Sequence, residues 1–273
     1  MTPRTFRVLR TLFLTAFCAV WIAPLLYTLR VALAAPIFAQ SGTPPIFAAI
    51  TFENFVGVFA NAEFMRSLLN SFLIGVTSTA LVLLISVPAA FVCATFEFRG
   101  QQNLEAWILS TRMLPAFVVV VPYFILFRSL QLLDTMLVLI VMHTVVSLAL
   151  AFFMLRSFFA DVPRETLEAS HLEGAGHLTT LLRVALPQVQ GGLIATGILV
   201  FIFSWNELAF SFTLAGGAVK TGPVAILSFI AFQNVQVAGL MAAANILIAP
   251  IAILLIVAQK GLIRGLSFGA VKA

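Results

Sequence analysis

The chain alternates long uncharged runs with short polar segments. Thr11 to Leu29 carries no charge, and neither does Ser67 to Phe96. Ala106 to Phe127 carries only Arg112, Thr135 to Leu155 carries none, and Gly191 to Leu214 carries only Glu207. A helix needs about 20 mostly apolar residues to cross a bilayer, so each of these five runs predicts one span. Thr221 to Gln259 is also uncharged but too long for one span. Its polar stretch Gln233-Asn234-Val235-Gln236 places the start of a sixth helix near Val237, preceded by an outer-face or re-entrant segment. The pattern therefore predicts an all-α polytopic membrane protein with six transmembrane helices, a single membrane domain over residues 1–273.

Composition agrees with that class. Of 273 residues, 62% are hydrophobic and 9% are charged, against about 25% charged in an ordinary soluble domain. The net charge of +5 does not point to nucleic acid, because the basic residues neither cluster nor alternate with aromatics on a polar face. They set an orientation instead. With the N-terminus in the cytoplasm, inner segments hold Arg4, Arg7, Arg10, Arg99, Arg156, Arg164, Arg183, Lys260, Arg264 and Lys272, while outer segments hold Arg30, Arg66, Arg128 and Lys220. That asymmetry fits the positive-inside rule and predicts that both termini are cytoplasmic. Cys18 and Cys93 lie in apolar runs and read as packing residues. Trp21 and Tyr27 near the end of the first run read as interface residues of a retained helix, not of a cleaved signal. The outer loop with Pro44, Pro45 and Asn54 is long enough to hold some structure.

The longest predicted cytoplasmic connection, about 157–190, reads as two short helices. Asp161 and Pro163 are start signals, and Glu165 sits in the first turn, where negative charge suits the helix dipole. Gly174 and Gly176 stop the first helix, and a second begins near His177. Leu178, Leu181, Leu182 and Ala185 recur as one apolar stripe. Pro187 should end that helix by turning Leu186 away from helical geometry. An exposed apolar stripe needs either a protein partner or the lipid surface to lie on, and periodicity alone leaves both open.

Residue identities add a resemblance. Glu168-Ala169-Ser170, three residues, Gly174, nine residues, then Val184-Ala185-Leu186-Pro187 resembles the E-A-A loop of ABC importer permeases. The departures are Ser170 for alanine, Glu173 for the usual aspartate, Val184 for isoleucine, and Gly191 where a second proline is often found. Ser204-Trp205-Asn206-Glu207-Leu208 is similar to the W-N-E/D segment of carbohydrate-importer permeases. Leu262 to Lys272 resembles the tail of subunits similar to the maltose permease of the G type. The resemblance implies the type I importer fold, a second permease subunit, two ATP-binding subunits and an extracytoplasmic solute-binding protein, in a bacterial cytoplasmic membrane. It implies that Glu168, Ala169, Ser170, Glu173, Gly174, Ala175, Leu178, Leu181, Leu182, Arg183, Leu186 and Pro187 couple the chain to the ATPase.

No chemistry of its own is expected of this chain. It has no GxxxxGK[ST] loop and no GxSxG, so ATP and Mg belong to the partner ATPase, and no metal or cofactor is expected here. His143 reads as a packing or hydrogen-bonded residue. Glu207, inside a span, should face the bundle interior, water or the outer interface; with Trp205 and Asn206 it either contacts a sugar or holds helices together. Arg112, in Ser110-Thr111-Arg112-Met113-Leu114-Pro115, a stretch similar to permeases for polyols and disaccharides, is a candidate partner for that carboxylate. The solute expected is a sugar, oligosaccharide or polyol. The alternatives are a glycerol phosphodiester and, from another class, an ion-coupled secondary transporter, which would show paired broken helices.

Overall fold

The computed structural model describes residues 3–35, 49–231, 234–235 and 237–267, with side chains over 5–35, 49–230 and 237–259. Pro44, Pro45, Gln233, Gln236 and the tail from Phe268 to Lys272 lie outside the described residues, as do the side chains of Lys260 and Arg264.

In chain order the helices are α1 (Pro3–Ala32), α2 (Glu53–Ala60), α3 (Ala62–Thr95), α4 (Gln101–Ser110), α5 (Ala116–Ser129), α6 (Met136–Ala160), α7 (Arg164–Leu172), α8 (His177–Gln188), α9 (Gln190–Trp205), α10 (Ala209–Leu214) and α11 (Val237–Ser267). Four of them are long and apolar enough to cross a bilayer unbroken: α1, α3, α6 and α11. The other two predicted spans are interrupted. The third is split between α4 and α5 because Pro115 sits extended (φ −60°, ψ 137°) at the start of α5, and a proline disfavours helical geometry in the residue before it. The fifth is split between α9 and α10 at Asn206–Leu208. The segment ahead of α11 forms single turns and a two-residue hairpin pairing Ile230 with Val235 and Ala231 with Asn234.

The chain divides into two compact units. One holds residues 1–65 and 225–249. Within it the Asn54 Nδ2 donates to the carbonyls of Ala32 and Ala34, each at 2.8 Å, tying α2 to the end of α1. Phe64 meets Phe229 edge-on at 5.6 Å. The large side chains of α1 remain exposed, as lipid or a partner subunit would require.

The other unit, residues 66–224 and 250–273, contains the core. Toward the α7–α8 end, Phe91 of α3 packs with Phe152, Leu155 and Phe159 of α6, and with Leu167, Leu181, Ala185 and Val189 of the following connection. Toward the opposite end of α6, Ile74, Val120, Phe127, Leu139, Met142, Phe210 and Leu214 form a second cluster. Helices α6 and α9 approach closely at Gly192, where an added Cβ would lie 2.3 Å from the Phe158 ring, so any side chain there would drive the helices apart. Asp134 fastens the connection after α10: its carboxylate accepts the N–H groups of Gly217 (3.2 Å), Ala218 (2.6 Å) and Val219 (3.1 Å).

Candidate functional site

Two regions gather the residues singled out in the sequence. The first is the α7–α8 corner. Pro163 caps α7 and Glu165 occupies its first turn, as the start signals predict. Gly174 has φ +87°, a left-handed conformation natural to glycine, and it closes the helix with Schellman-like bonds. Ala175 N donates to Ser170 O and Gly174 N to His171 O, both at 3.0 Å.

The second helix departs from expectation in two ways. Pro187 does not end it: Leu186 is helical (φ −60°, ψ −42°) and the helix continues through Gln188. The reason is a π segment over Thr180–Ala185, which widens the helix where the Pro187 ring would otherwise meet the Arg183 carbonyl. The apolar stripe is also divided. Leu181 and Ala185 are buried against the bundle, whereas Leu178 and Leu182 are 67% and 52% exposed. Leu172, which sequence reasoning passed over, is 90% exposed. Its signal was available: a leucine in the last turn before a glycine stop, on an otherwise polar helix.

The corner is therefore fixed below and open above. Ser170 and Thr180 are buried and share a hydrogen bond of 2.8 Å across the two arms. The His177 ring packs edge-on against Phe96 at 5.1 Å. His171 Nδ1 donates to Leu167 O at 2.8 Å, and its Nε2 lies 3.1 Å from His177 Nδ1. Glu168, Ala169, Glu173 and Arg183 are exposed alongside the three leucines. Beside them runs an apolar groove of about 400 Å³ lined by Pro88, Phe91, Val92, Phe96, His177 and Leu178. A mixed apolar and charged face on a rigid support can receive another protein.

The second region is the break at Asn206–Leu208. Glu207 bends back over the start of α10: one oxygen accepts Phe210 N (2.8 Å), the other Ser211 N (2.9 Å) and Ser211 Oγ (3.0 Å). The same oxygen lies 3.3 Å from His143 Nε2. The carboxylate thus caps a helix and pairs with histidine; its expected partner, Arg112, is elsewhere, its guanidinium 5.8 Å above the Phe203 ring. The interruption before Pro115 puts Arg112 on an exposed turn between α4 and α5. Trp205 is buried against Phe201, and Asn206, exposed, donates to Ile202 O at 2.8 Å. His143, Ser204, Ser211 and Ser78 join Glu207 in one buried polar cluster. Of these, the sequence marks His143 as a packing or hydrogen-bonded residue and Ser204 only as part of Ser204-Trp205-Asn206-Glu207-Leu208, while Ser78 and Ser211 went unremarked. Polar residues inside apolar runs were the signal.

Comparison with known proteins gives a consistent picture. The pattern of the family described as "Binding-protein-dependent transport system inner membrane component" matches residues 86–268. A probable ABC transporter permease protein of Sinorhizobium fredii is 31% identical over 99% of this chain and 98% of its own. The trehalose transport system permease protein of Mycobacterium tuberculosis is 34% identical over 82% of this chain and 83% of its own. The sulfoquinovosyl glycerol transport system permease protein of Agrobacterium fabrum is 33% identical over 82% and 79%. Among solved structures, one chain of a bacterial ABC transporter involved in the import of the acidic polysaccharide alginate superposes with a TM-score of 0.80 at 22% identity, over 94% of this chain and 96% of that one. This last is a likeness of fold.

Proposed function

The chain belongs to the binding-protein-dependent transport system inner membrane components, and from that membership we propose that it is one of two permease subunits of an ATP-driven importer for a sugar, oligosaccharide or polyol. It is a multi-pass transport subunit of the inner membrane, not an enzyme. In this reading both termini and the 157–190 connection lie in the cytoplasm, where two ATP-binding subunits hydrolyse Mg-ATP. A solute-binding protein delivers cargo to the opposite face.

The observation that carries the reading is the α7–α8 corner. Leu172, Leu178 and Leu182 stand exposed on a scaffold whose other side is sunk into the bundle. They form the apolar centre of an ATPase-docking face, with Glu168, Glu173 and Arg183 at its rim. Ala169 lies in the exposed face, while Ser170, Ala175, Leu181, Leu186 and Pro187 shape and anchor it. Because Leu181 and Ala185 are packed into the core, movement of the ATPase subunits passes to the spans as a rigid-body shift, with ATP supplying the difference in free energy between transport states.

The solute class rests on the names of relatives. The relative named for sulfoquinovosyl glycerol, a sugar glycoside, falls in the same class, and a glycerol phosphodiester is the alternative that the transport assay separates. In the solute path we place Asn206 and Arg112, both exposed; Glu207 and Trp205 hold the path's wall. The deciding experiment reconstitutes the chain with a partner permease, ATPase and binding protein from its own source and measures ATP hydrolysis and uptake against a panel of disaccharides, polyols and glycerol phosphodiesters. Stimulation by a loaded binding protein is the expected result. Uptake driven by an ion gradient without ATP would refute the reading.

A further inference from the structure

Arg112 stands on open backbone: residues 111–115 are exposed and belong to no helix. Facing it, Phe203 and Asn206 lie about one turn apart on the α9 side of the second break. Both are exposed, Phe203 by 54%, whereas Ser204 and Trp205 between them are buried. The guanidinium over the Phe203 ring brings the interruptions of the third and fifth spans to one level and one face. Among the described residues, no carboxylate pairs with that guanidinium and no acceptor takes up its N–H groups; the ring is its neighbour. Asn206 spends one N–H on Ile202 O, which leaves its amide oxygen to other partners. Lipid does not fit such a face. A charge in hydrocarbon and backbone outside a helix are both costly, and each is tolerated where it lines water or is buried in protein. Discontinuous helices are also where membrane transporters build solute sites.

We propose that Phe203 is the platform on which a sugar ring rests in the path, with Arg112 and Asn206 taking its hydroxyls. One face of a pyranose is a patch of C–H groups, and the negative face of an aromatic ring attracts their hydrogens. The hydroxyls project around the rim of the sugar. There they meet the forked guanidinium, which only donates, and the Asn206 amide, which both donates and accepts. An apolar platform with a few placed polar groups is how a small-molecule site fixes orientation. At 5.8 Å the guanidinium overhangs the ring without stacking directly on it, and its long stem lets it move to the rim when a sugar takes the ring. An open-chain polyol offers no flat C–H face, and a glycerol phosphodiester offers charge without one. The face thus narrows the solute to sugars in ring form, and Phe203 is the residue that selects them.

The platform rests on the importer reading, and its test separates the two. The first arm needs no solute in hand. With Cys18→Ala and Cys93→Ala, Phe203→Cys is placed in the assembled transporter in lipid and treated with methanethiosulfonate ethylsulfonate, a small anionic thiol reagent that reacts in water. Labelling of this chain is the expected result. A thiol that stays unreactive both at rest and during ATP turnover means that lipid or the second permease covers the position, and it overturns the proposal. The second arm measures uptake of the disaccharide that the reconstituted complex carries best. Phe203→Leu keeps apolar bulk without the ring and should lower uptake about tenfold at limiting sugar, while Phe203→Trp should retain it. Equal losses in both variants, or none in Phe203→Leu, overturn the platform. So does a complex that carries only an open-chain polyol or a glycerol phosphodiester, and that outcome leaves the importer reading standing. Uptake without ATP would count against the importer reading instead, with the thiol at position 203 still deciding whether the ring faces the path.

Discussion

The chain is interrupted at Gly174 and again at Asn206–Leu208, and the two interruptions are built on opposite principles. At Gly174 the backbone itself turns, through a positive φ of 87°, and apolar packing of Leu167, Leu181 and Ala185 beneath the turn holds the arms. At the second there is neither glycine nor proline. Side chains impose the break: Glu207 takes up the free N–H groups at the start of α10, and His143 ties the carboxylate to the neighbouring span. A turn written into the backbone is stiff and local, suited to transmitting a push. A break held by side chains can be opened by changing a contact.

The sharpest way to break this comparison is Glu207→Leu. It strips α10 of its cap and takes from His143 Nε2 its carboxylate partner, leaving Ser211 Oγ at 3.3 Å; losing one partner of such a buried contact costs about 1–3 kcal/mol. We expect the yield of assembled complex in detergent to collapse. A double variant, Glu207→Leu with His143→Leu, should recover part of it, and Glu207→Leu with Arg112→Leu should not. Recovery by the arginine variant would restore the pairing that the geometry rejects.

At the other interruption the damage should be to coupling. Proline at position 174 cannot adopt the positive φ, so Gly174→Pro should abolish stimulated ATP hydrolysis while basal hydrolysis by the ATPase subunits persists. Next in size is the leucine triplet. Leu172→Ala with Leu178→Ala and Leu182→Ala should reduce ATPase co-purification and stimulated hydrolysis by about tenfold or more, the scale of losing an interface hot spot. The buried Leu181→Ala should instead lower stability by about 2–5 kcal/mol. The same loss of co-purification from Leu181→Ala and none from the triplet would reverse the assignment of faces. Smaller again is Ser170→Ala, which leaves the buried Thr180 hydroxyl without its 2.8 Å partner and should cost about 1–3 kcal/mol in thermal unfolding of the complex.

How much of this was legible follows from the same contrast. The long spans and the two arms of the corner announce themselves through uncharged runs and through Pro163, Gly174 and Gly176. The end of α8 was misread because the rule for Pro187 assumes a regular α-helix, and the π segment relieves the clash locally. The break at Asn206 was not readable as a break, since Trp205-Asn206-Glu207-Leu208 contains no helix breaker. What splits the helix is the Glu207 carboxylate turned onto Phe210 N and Ser211 N, with His143 of another span against it. Glu207 was read as facing the bundle interior, water or the outer interface, and its partner could not be chosen from sequence. Both Arg112 and His143 lie in apolar runs, and only the turn forced by Pro115 takes the arginine away.

The smallest expected effect lies outside both interruptions, at Asp134, and it concerns how firmly the connection after α10 is held. Burial pushes the Asp134 carboxyl up, but the N–H groups of Ala218, Val219, Gly217 and Gly216 together outweigh it and hold the group below the ordinary carboxylate range. A carboxylate whose folded-state value is depressed adds stability that is fully present above its unfolded value, about 3.9, and is lost as pH falls through the folded value. Near neutral pH, Asp134→Asn should therefore lower the thermal midpoint of the complex slightly, because an amide accepts these N–H groups more weakly than a charged carboxylate and one of its two ends cannot accept at all. The gap between wild type and variant should hold down to about pH 4 and close only in more acid solution. A gap that closes as pH rises instead would have the wrong sign for a carboxylate held ionised by backbone donors. Gly217→Ala gives an independent check: its Cβ would lie 2.6 Å from Asp134 Oδ2, pushing the carboxylate out of its nest. It should mimic Asp134→Asn near neutral pH and add little when the two are combined, since both remove the same set of bonds.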